Sequence, residues 1–170
     1  SGDDFGHQIT LLGDFVMANE DLLLTWQRNP QSPAIKEDLW MSVEARLPSQ
    51  RVLKRLSERR LANYLYPTTR WRPGEVVIGR IPAQELLEPG LLSGYQLYIT
   101  VFDPHGDLAG LDVFDTDGSA LGKQSYITYQ PHSIPPGAAD ASAAQWPQLL
   151  PGMHLKPTLL QNSIQAGQRL

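Results

Sequence analysis

The strongest constraint on the fold is a two-residue alternation of apolar and polar side chains in two strand-length segments. In residues 39–47, LWMSVEARL, apolar side chains recur at every second position, and residues 95–102, YQLYITVF, repeat the pattern. Because successive side chains of a β-strand point to opposite faces, this period predicts two strands that each bury one face. A helix would require a period near 3.6 residues, so the segments predict an all-β fold.

Turn-forming residues divide the rest of the chain into similarly short segments. The sequence has 14 glycines and 14 prolines, which favours many short strands over long helices. Asp117-Gly118 is a hairpin dipeptide, after which residues 123–129 are expected to return antiparallel. Gly13 is expected to mark a bulge or bend in a strand within residues 3–17. Residues 51–65 fit a strand followed by an irregular loop, which we favour, or a helix.

These elements predict an antiparallel β-sandwich, jelly-roll or immunoglobulin-like, of about seven to nine strands within residues 3–130. Composition changes after this point. Residues 131–170 are rich in proline, alanine and glycine. We expect them to form an irregular tail that packs on the sandwich or links onward.

Composition excludes several kinds of site. The chain has no cysteine, so disulfides, thiolate metal sites and cysteine nucleophiles are excluded. No apolar run approaches the roughly 20 residues of a membrane-spanning helix. The four histidines are scattered without metal-ligand spacing. There is no glycine-rich phosphate loop and no basic-aromatic pattern typical of RNA-binding proteins, so we expect the chain to bind neither nucleic acid nor a nucleotide cofactor. No motif in the sequence identifies a set of catalytic residues.

Charge is segregated along the sequence despite a net charge of −4. The segment 46–72 contains one acid, Glu58, and eight basic residues: Arg46, Arg51, Lys54, Arg55, Arg59, Arg60, Arg70 and Arg72. This block could face phosphate head groups or an acidic polymer. We favour the alternative of a solvated edge strand and loop, on which basic side chains prevent edge-to-edge pairing.

Two tryptophans are candidate ligand-binding residues. Trp71 lies in the corner T-T-R-W-R-P-G-E, where its ring either closes one end of the core or stacks on a sugar with Arg70 and Arg72 beside it. Trp40 lies opposite the apolar face of its strand, so it packs against a second layer or is exposed as a carbohydrate platform.

A group of acids after residue 111 resembles half of a calcium loop. Asp112, Asp115 and Asp117 precede Gly118, but an EF-hand loop with this glycine at its sixth position would require an oxygen ligand at position 113 and an acid at position 124. These positions hold Val113 and Gln124, so the pattern fails at both. The hairpin dipeptide explains the acids without a metal, and a calcium site between loops remains an alternative. We therefore predict no metal site from spacing.

Four segments in order suggest a family. The segments DFGHQITLLG (4–13), LLLTWQ (22–27), PTTRWRPGEVV (67–77) and GYQLYITVFDPHG (94–106) resemble a non-catalytic β-sandwich domain of bacterial membrane glycosyltransferases. These are multi-spanning, protein-mannosyltransferase-like enzymes that use polyprenyl-phosphate sugars. The resemblance covers residues 4–129, and Gly79 stands where the family often has an acid.

The resemblance implies a non-catalytic accessory domain on the extracytoplasmic or periplasmic face of the cell envelope. Its partners would be a glycan or polyprenyl-linked sugar and the membrane-embedded portion of the same polypeptide. One alternative is a free-standing carbohydrate-binding or adhesion module that uses Trp40 and Trp71. Another, ranked last, is a sandwich-fold hydrolase or lyase with paired carboxylates, for which no residues are nominated.

Overall fold

The computed structural model describes residues 2–62, 65–86, 94–106 and 108–131. They form two antiparallel sheets, which confirms the prediction of an all-β sandwich. The first sheet has the spatial order β10 (Ala120–Gly122), β9 (Val113–Phe114), β1 (Asp3–Phe5), β2 (Ile9–Val16), β3 (Leu22–Arg28) and β7 (Val76–Ile81). Among the described residues, no helix has the length and apolar character needed to cross a membrane.

The second sheet has the order β11 (Ser125–Tyr129), β8 (Tyr95–Phe102), β4 (Trp40–Arg46) and β5 (Val52–Arg55), and β6 (Arg59–Arg60) pairs with the start of β4. A 3₁₀ turn (Thr68–Arg70) and the short helix α1 (Ala83–Leu86) flank β7 in sequence. The described residues contain eleven strands, more than predicted, because β1, β6 and β10 are too short to produce an alternating pattern of their own.

Alternation places one face of each long strand in the core, as predicted. The inward residues of β3, β4 and β8 are at most 2% exposed: Leu22, Leu24, Trp26, Met41, Val43, Ala45, Tyr95, Leu97, Ile99 and Val101. Phe5 packs edge-on against Trp26 with ring centroids 5.7 Å apart. Each buried Leu, Ile, Val or Met side chain among the inward residues contributes about 1.5–3 kcal/mol of hydrophobic stabilisation.

Residues 51–62 form β5 and β6, so the strand interpretation is confirmed for this part of the ambiguous segment. The predicted bulge in β2 is also confirmed, because the register against β3 shifts between Leu11 and Gly13. The predicted tail begins at residue 131, and residues 132–170 lie outside the described residues. The boundary and packing of that tail therefore remain predictions.

The hairpin after residue 111 forms with a different return strand. Asp117-Gly118 does turn the chain, with Gly118 at φ +86°, but β9 pairs with β10 rather than with residues 123–129. β11 crosses to the second sheet and pairs with β8. This pairing buries Ser125, Ile127 and Tyr129, which a hairpin extension at the edge of the first sheet would not provide.

Candidate functional site

The corner around Trp71 is structural. The Trp71 side chain is 1% exposed, and its indole N–H donates to the carbonyl of Tyr66 at 3.3 Å. Arg28, which is itself 7% exposed, donates to the carbonyl of Trp71 at 2.6 Å. A buried ring presents no face to a ligand, so the hypothesis that Trp71 is a stacking platform is wrong and its ring closes the core.

Arg70 and Arg72 are exposed beside this corner. Glu75 accepts hydrogen bonds from the Arg72 amide at 2.6 Å and from the Tyr66 hydroxyl at 2.9 Å. The Arg72 amide is the main cause that holds the pKa of Glu75 below its ordinary value, with the Tyr66 hydroxyl adding to the effect. With the Trp71 ring buried, the two arginines have no aromatic platform between them.

Trp40 is half-buried and borders a separate pocket of about 260 Å³, the Trp40 pocket, which Arg59, Arg60, Arg80 and Glu85 also line. It does not include Arg70, Trp71 or Arg72, so the structure does not bring the predicted site residues together. Each arginine of the pocket has a carboxylate partner: Arg59 binds Glu85, Arg60 binds Asp38 at 2.5 Å, and Arg80 binds Asp21 at 2.6 Å.

The outer face of the second sheet carries two tyrosines side by side. Tyr98 of β8 lies directly opposite Tyr126 of β11, and their rings stack with centroids 5.7 Å apart and planes inclined by 30°. The guanidinium of Arg46 lies 4.2 Å from the centre of the Tyr98 ring, within cation–π range. We name Glu44, Arg46, Tyr98, Gln124 and Tyr126 the aromatic face.

The aromatic face is open to solvent on its β11 side. Tyr126 is 58% exposed, whereas Tyr98 is half-buried with Arg46 against its ring. The two tyrosines line a pocket of about 580 Å³ together with Asp3, Leu121, Gln124 and Ser125. That volume falls in the range of small-molecule sites, roughly 300–1,000 Å³.

Hydrogen bonds hold the aromatic face in place. The Gln124 side-chain oxygen accepts from Arg46 at 3.5 Å, and its amide nitrogen donates to the Thr100 hydroxyl at 3.2 Å. The Tyr98 hydroxyl is 3.1 Å from the side-chain oxygen of Gln96. The first two contacts link β4 and β8 to the residue that precedes β11, so Arg46 and Gln124 are held in place before any ligand arrives.

Glu44 is the electrostatic centre of the aromatic face. Its carboxylate accepts from Arg46 Nε at 2.5 Å and from Arg55 Nε at 2.7 Å. Burial opposes ionisation, but the two guanidiniums outweigh it and hold the pKa of Glu44 below its ordinary value. A carboxyl that stays ionised cannot act as a general acid near neutral pH, so this group suits charge pairing rather than proton donation.

The acids near residue 115 are used by their own turn. One carboxylate oxygen of Asp115 accepts from the amides of Asp117 and Ser119 at 2.9 and 3.1 Å, and Asp117 accepts from the Ser119 amide at 2.8 Å. Hydrogen bonds from Ser119 lower the pKa of Asp117. Within the described ranges, no three acid or histidine side chains are grouped so as to hold a metal ion.

Sequence reasoning missed Tyr98 and Tyr126 as site residues. A signal was present, because each is an aromatic residue on the polar face of an alternating segment. What brings them together is the pairing of β8 with β11, and the hairpin prediction had assigned β11 a different partner.

Comparison with known proteins found no family model, curated protein or solved structure that matches this chain. The functional proposal therefore rests on the geometry above and on the sequence motifs.

Proposed function

We propose that this domain is a non-catalytic glycan-binding module whose ligand stacks on the aromatic face. The observation that carries the proposal is the stacked pair Tyr98–Tyr126, with Tyr126 58% exposed beside a pocket of about 580 Å³. One face of a sugar ring presents C–H groups, which pack on an aromatic ring, while its hydroxyls require hydrogen-bonding neighbours.

The polar residues of the pocket suit those hydroxyls. After its bonds to Arg46 and Thr100, Gln124 retains one amide N–H and one oxygen lone pair for a ligand. Asp3 lines the same pocket and accepts from the buried Ser125 hydroxyl, which leaves its other carboxylate sites as acceptors. Two χ angles define a tyrosine side chain, so ordering Tyr126 against a ligand costs little conformational entropy. The platform also stands on paired strands rather than on a loop, which keeps its geometry fixed.

Binding of the 170-residue chain to a panel of soluble polysaccharides, measured by calorimetry, tests the proposal. Tyr126→Ala should weaken binding at least about tenfold, which corresponds to roughly 1.4 kcal/mol. Phe15→Ala is the matched control, because Phe15 is an aromatic residue on the first sheet that is 37% exposed. The Phe15→Ala variant should bind polysaccharide with the same affinity as the unaltered chain. Undiminished binding by Tyr126→Ala would remove the aromatic face as the site.

Trp40→Ala separates this site from the one predicted from sequence. The Trp40 pocket is smaller, about 260 Å³, and its arginines are already paired. We expect Trp40→Ala to retain glycan binding. Loss of binding in Trp40→Ala together with full binding in Tyr126→Ala would transfer the proposal to the Trp40 pocket.

The motif order in residues 4–129 favours one setting for such a module, an accessory domain of a cell-envelope membrane glycosyltransferase. There it would lie on the extracytoplasmic side and hold glycan or an assembly partner near the membrane-embedded active site. The sequence of the full gene product tests this setting: a multi-spanning segment should occur in the same polypeptide. If the gene product has no multi-spanning segment, the accessory-domain setting is overturned, and the free-standing carbohydrate-binding or adhesion module is the remaining proposal.

A further inference from the structure

We infer that the glycan bound on the aromatic face is acidic, with a sugar ring stacked on Tyr126 and a carboxylate or sulfate group that Arg46 and Arg55 bind at the Glu44 end of the face. This inference rests on the proposed function and names its ligand class. It is carried by the two guanidiniums that share the single carboxylate of Glu44 and by the alignment of the side chains across four strands.

Strand register places the relevant side chains in one row. Arg55 lies opposite Glu44, Glu44 opposite Tyr98, and Tyr98 opposite Tyr126. Neighbouring strands are about 4.8 Å apart, so the row from β5 to β11 spans roughly 14 Å. A ligand stacked on Tyr126 can therefore extend along the row to the arginines.

Charge along this row does not balance. Two guanidiniums share one carboxylate, that of Glu44, which leaves about one positive charge uncompensated at the β4–β5 end of the row. Asp3, the carboxylate that lines the pocket, lies at the β11 end, where it accepts a hydrogen bond from the Ser125 hydroxyl. In the Trp40 pocket, by contrast, each of the three arginines has its own carboxylate partner. The Glu44 end of the aromatic face is thus a local cationic patch on a chain whose net charge is −4, and such a patch attracts an anionic ligand.

Donor geometry supports the same conclusion. Glu44 accepts from the Nε of both arginines, so the outer nitrogens of Arg55, whose side chain is 79% exposed, remain available for a ligand. Guanidinium nitrogens bind carboxylate or sulfate oxygens through paired, charge-assisted hydrogen bonds. Glu44 also orients both guanidiniums before binding, which lowers the entropy cost of capture.

Calorimetry with matched polymers tests the inference. The probes are polygalacturonate, its fully methyl-esterified form, heparin, dextran and a single-stranded oligothymidylate. The chain should bind polygalacturonate or heparin at least tenfold more tightly than the uncharged polymers, and the preference should fall when salt is raised, because salt screens an exposed ion pair. Arg55→Gln should reduce affinity for the acidic polymer about tenfold and leave binding of neutral polymer unchanged.

Arg72→Gln is the matched control, since Arg72 is an exposed arginine at the Trp71 corner, and its affinity should be unaltered. Equal binding of acidic and esterified polymer, or full affinity in Arg55→Gln, would overturn the acidic-glycan inference and leave the glycan-binding proposal standing. Failure of every saccharide to bind would overturn both. Tighter binding of oligothymidylate than of any saccharide would assign the face to nucleic acid instead.

Discussion

Gly79→Ala tests the packing that joins β7 to the chain segment beneath it. Gly79 pairs with Leu24 of β3, and a Cβ added to it would lie 2.0 Å from the backbone carbonyl oxygen of Leu61 and 3.4 Å from the Cα of Ala62. A C–H···O contact normally needs about 3.3 Å or more. The added methyl therefore requires the backbone to move by more than about 1 Å.

Overpacking of a core costs about 1–3 kcal/mol, and a clash with backbone belongs at the upper end because no rotamer change relieves it. We expect Gly79→Ala to lose about 3 kcal/mol of unfolding free energy. In urea denaturation with an m-value near 2 kcal/mol/M, this lowers the midpoint by about 1.5 M.

Gly13→Ala is the matched control, because a Cβ at Gly13 meets no atom within 4 Å. Its unfolding free energy should stay within about 0.5 kcal/mol of the unaltered chain. If Gly79→Ala were equally harmless, the Leu61 carbonyl would not lie beneath β7, and the placement of residues 61–62 beside the Trp40 pocket would be wrong.

Three further predictions concern buried polar groups. Arg28→Met should cost about 2–3 kcal/mol in thermal unfolding, because the carbonyls of Trp71 and Pro33 lose a charged donor. The hydrogen bond from the Ala83 amide, and secondarily the one from Arg80, lowers the pKa of Asp21 below 3.8. Ionised Asp21 therefore stabilises the fold above pH 3.8, and this stabilisation is lost as the pH falls through the lowered pKa. In Asp21→Asn, the unfolding free energy should fall less steeply at acid pH than in the unaltered chain. Burial, with Glu20 and Asp21, raises the pKa of Tyr129 to about 12 from 10.0. The stabilisation from neutral Tyr129 is complete below pH 10 and is lost as the pH rises towards 12. In Tyr129→Phe, the unfolding free energy measured by urea denaturation should not show this loss between pH 10 and 12.

At the Trp71 corner, the sequence predicted the turn but could not decide between a buried and an exposed tryptophan ring. Its letters predict a turn between strands, and that prediction is confirmed, because the 3₁₀ turn at Thr68–Arg70 leads to β7. They do not distinguish a buried ring from an exposed one, since both contexts tolerate flanking arginines. The ring is buried by tertiary packing in the core, and the corner is held by a residue as distant as Arg28, 43 positions earlier, which donates to the Trp71 carbonyl.

Local sequence determined the strand class, the inward face of each long strand and the turn positions, because alternation and turn chemistry act between residues close in sequence. Tertiary structure alone decided which strands became neighbours. The crossing of β11 to β8 makes one platform of Tyr98 and Tyr126, and the register of β5 on β4 brings Arg55 to Glu44. Pairing depends on which apolar faces meet in the core, a property of the whole chain, so the candidate site became visible only in the fold.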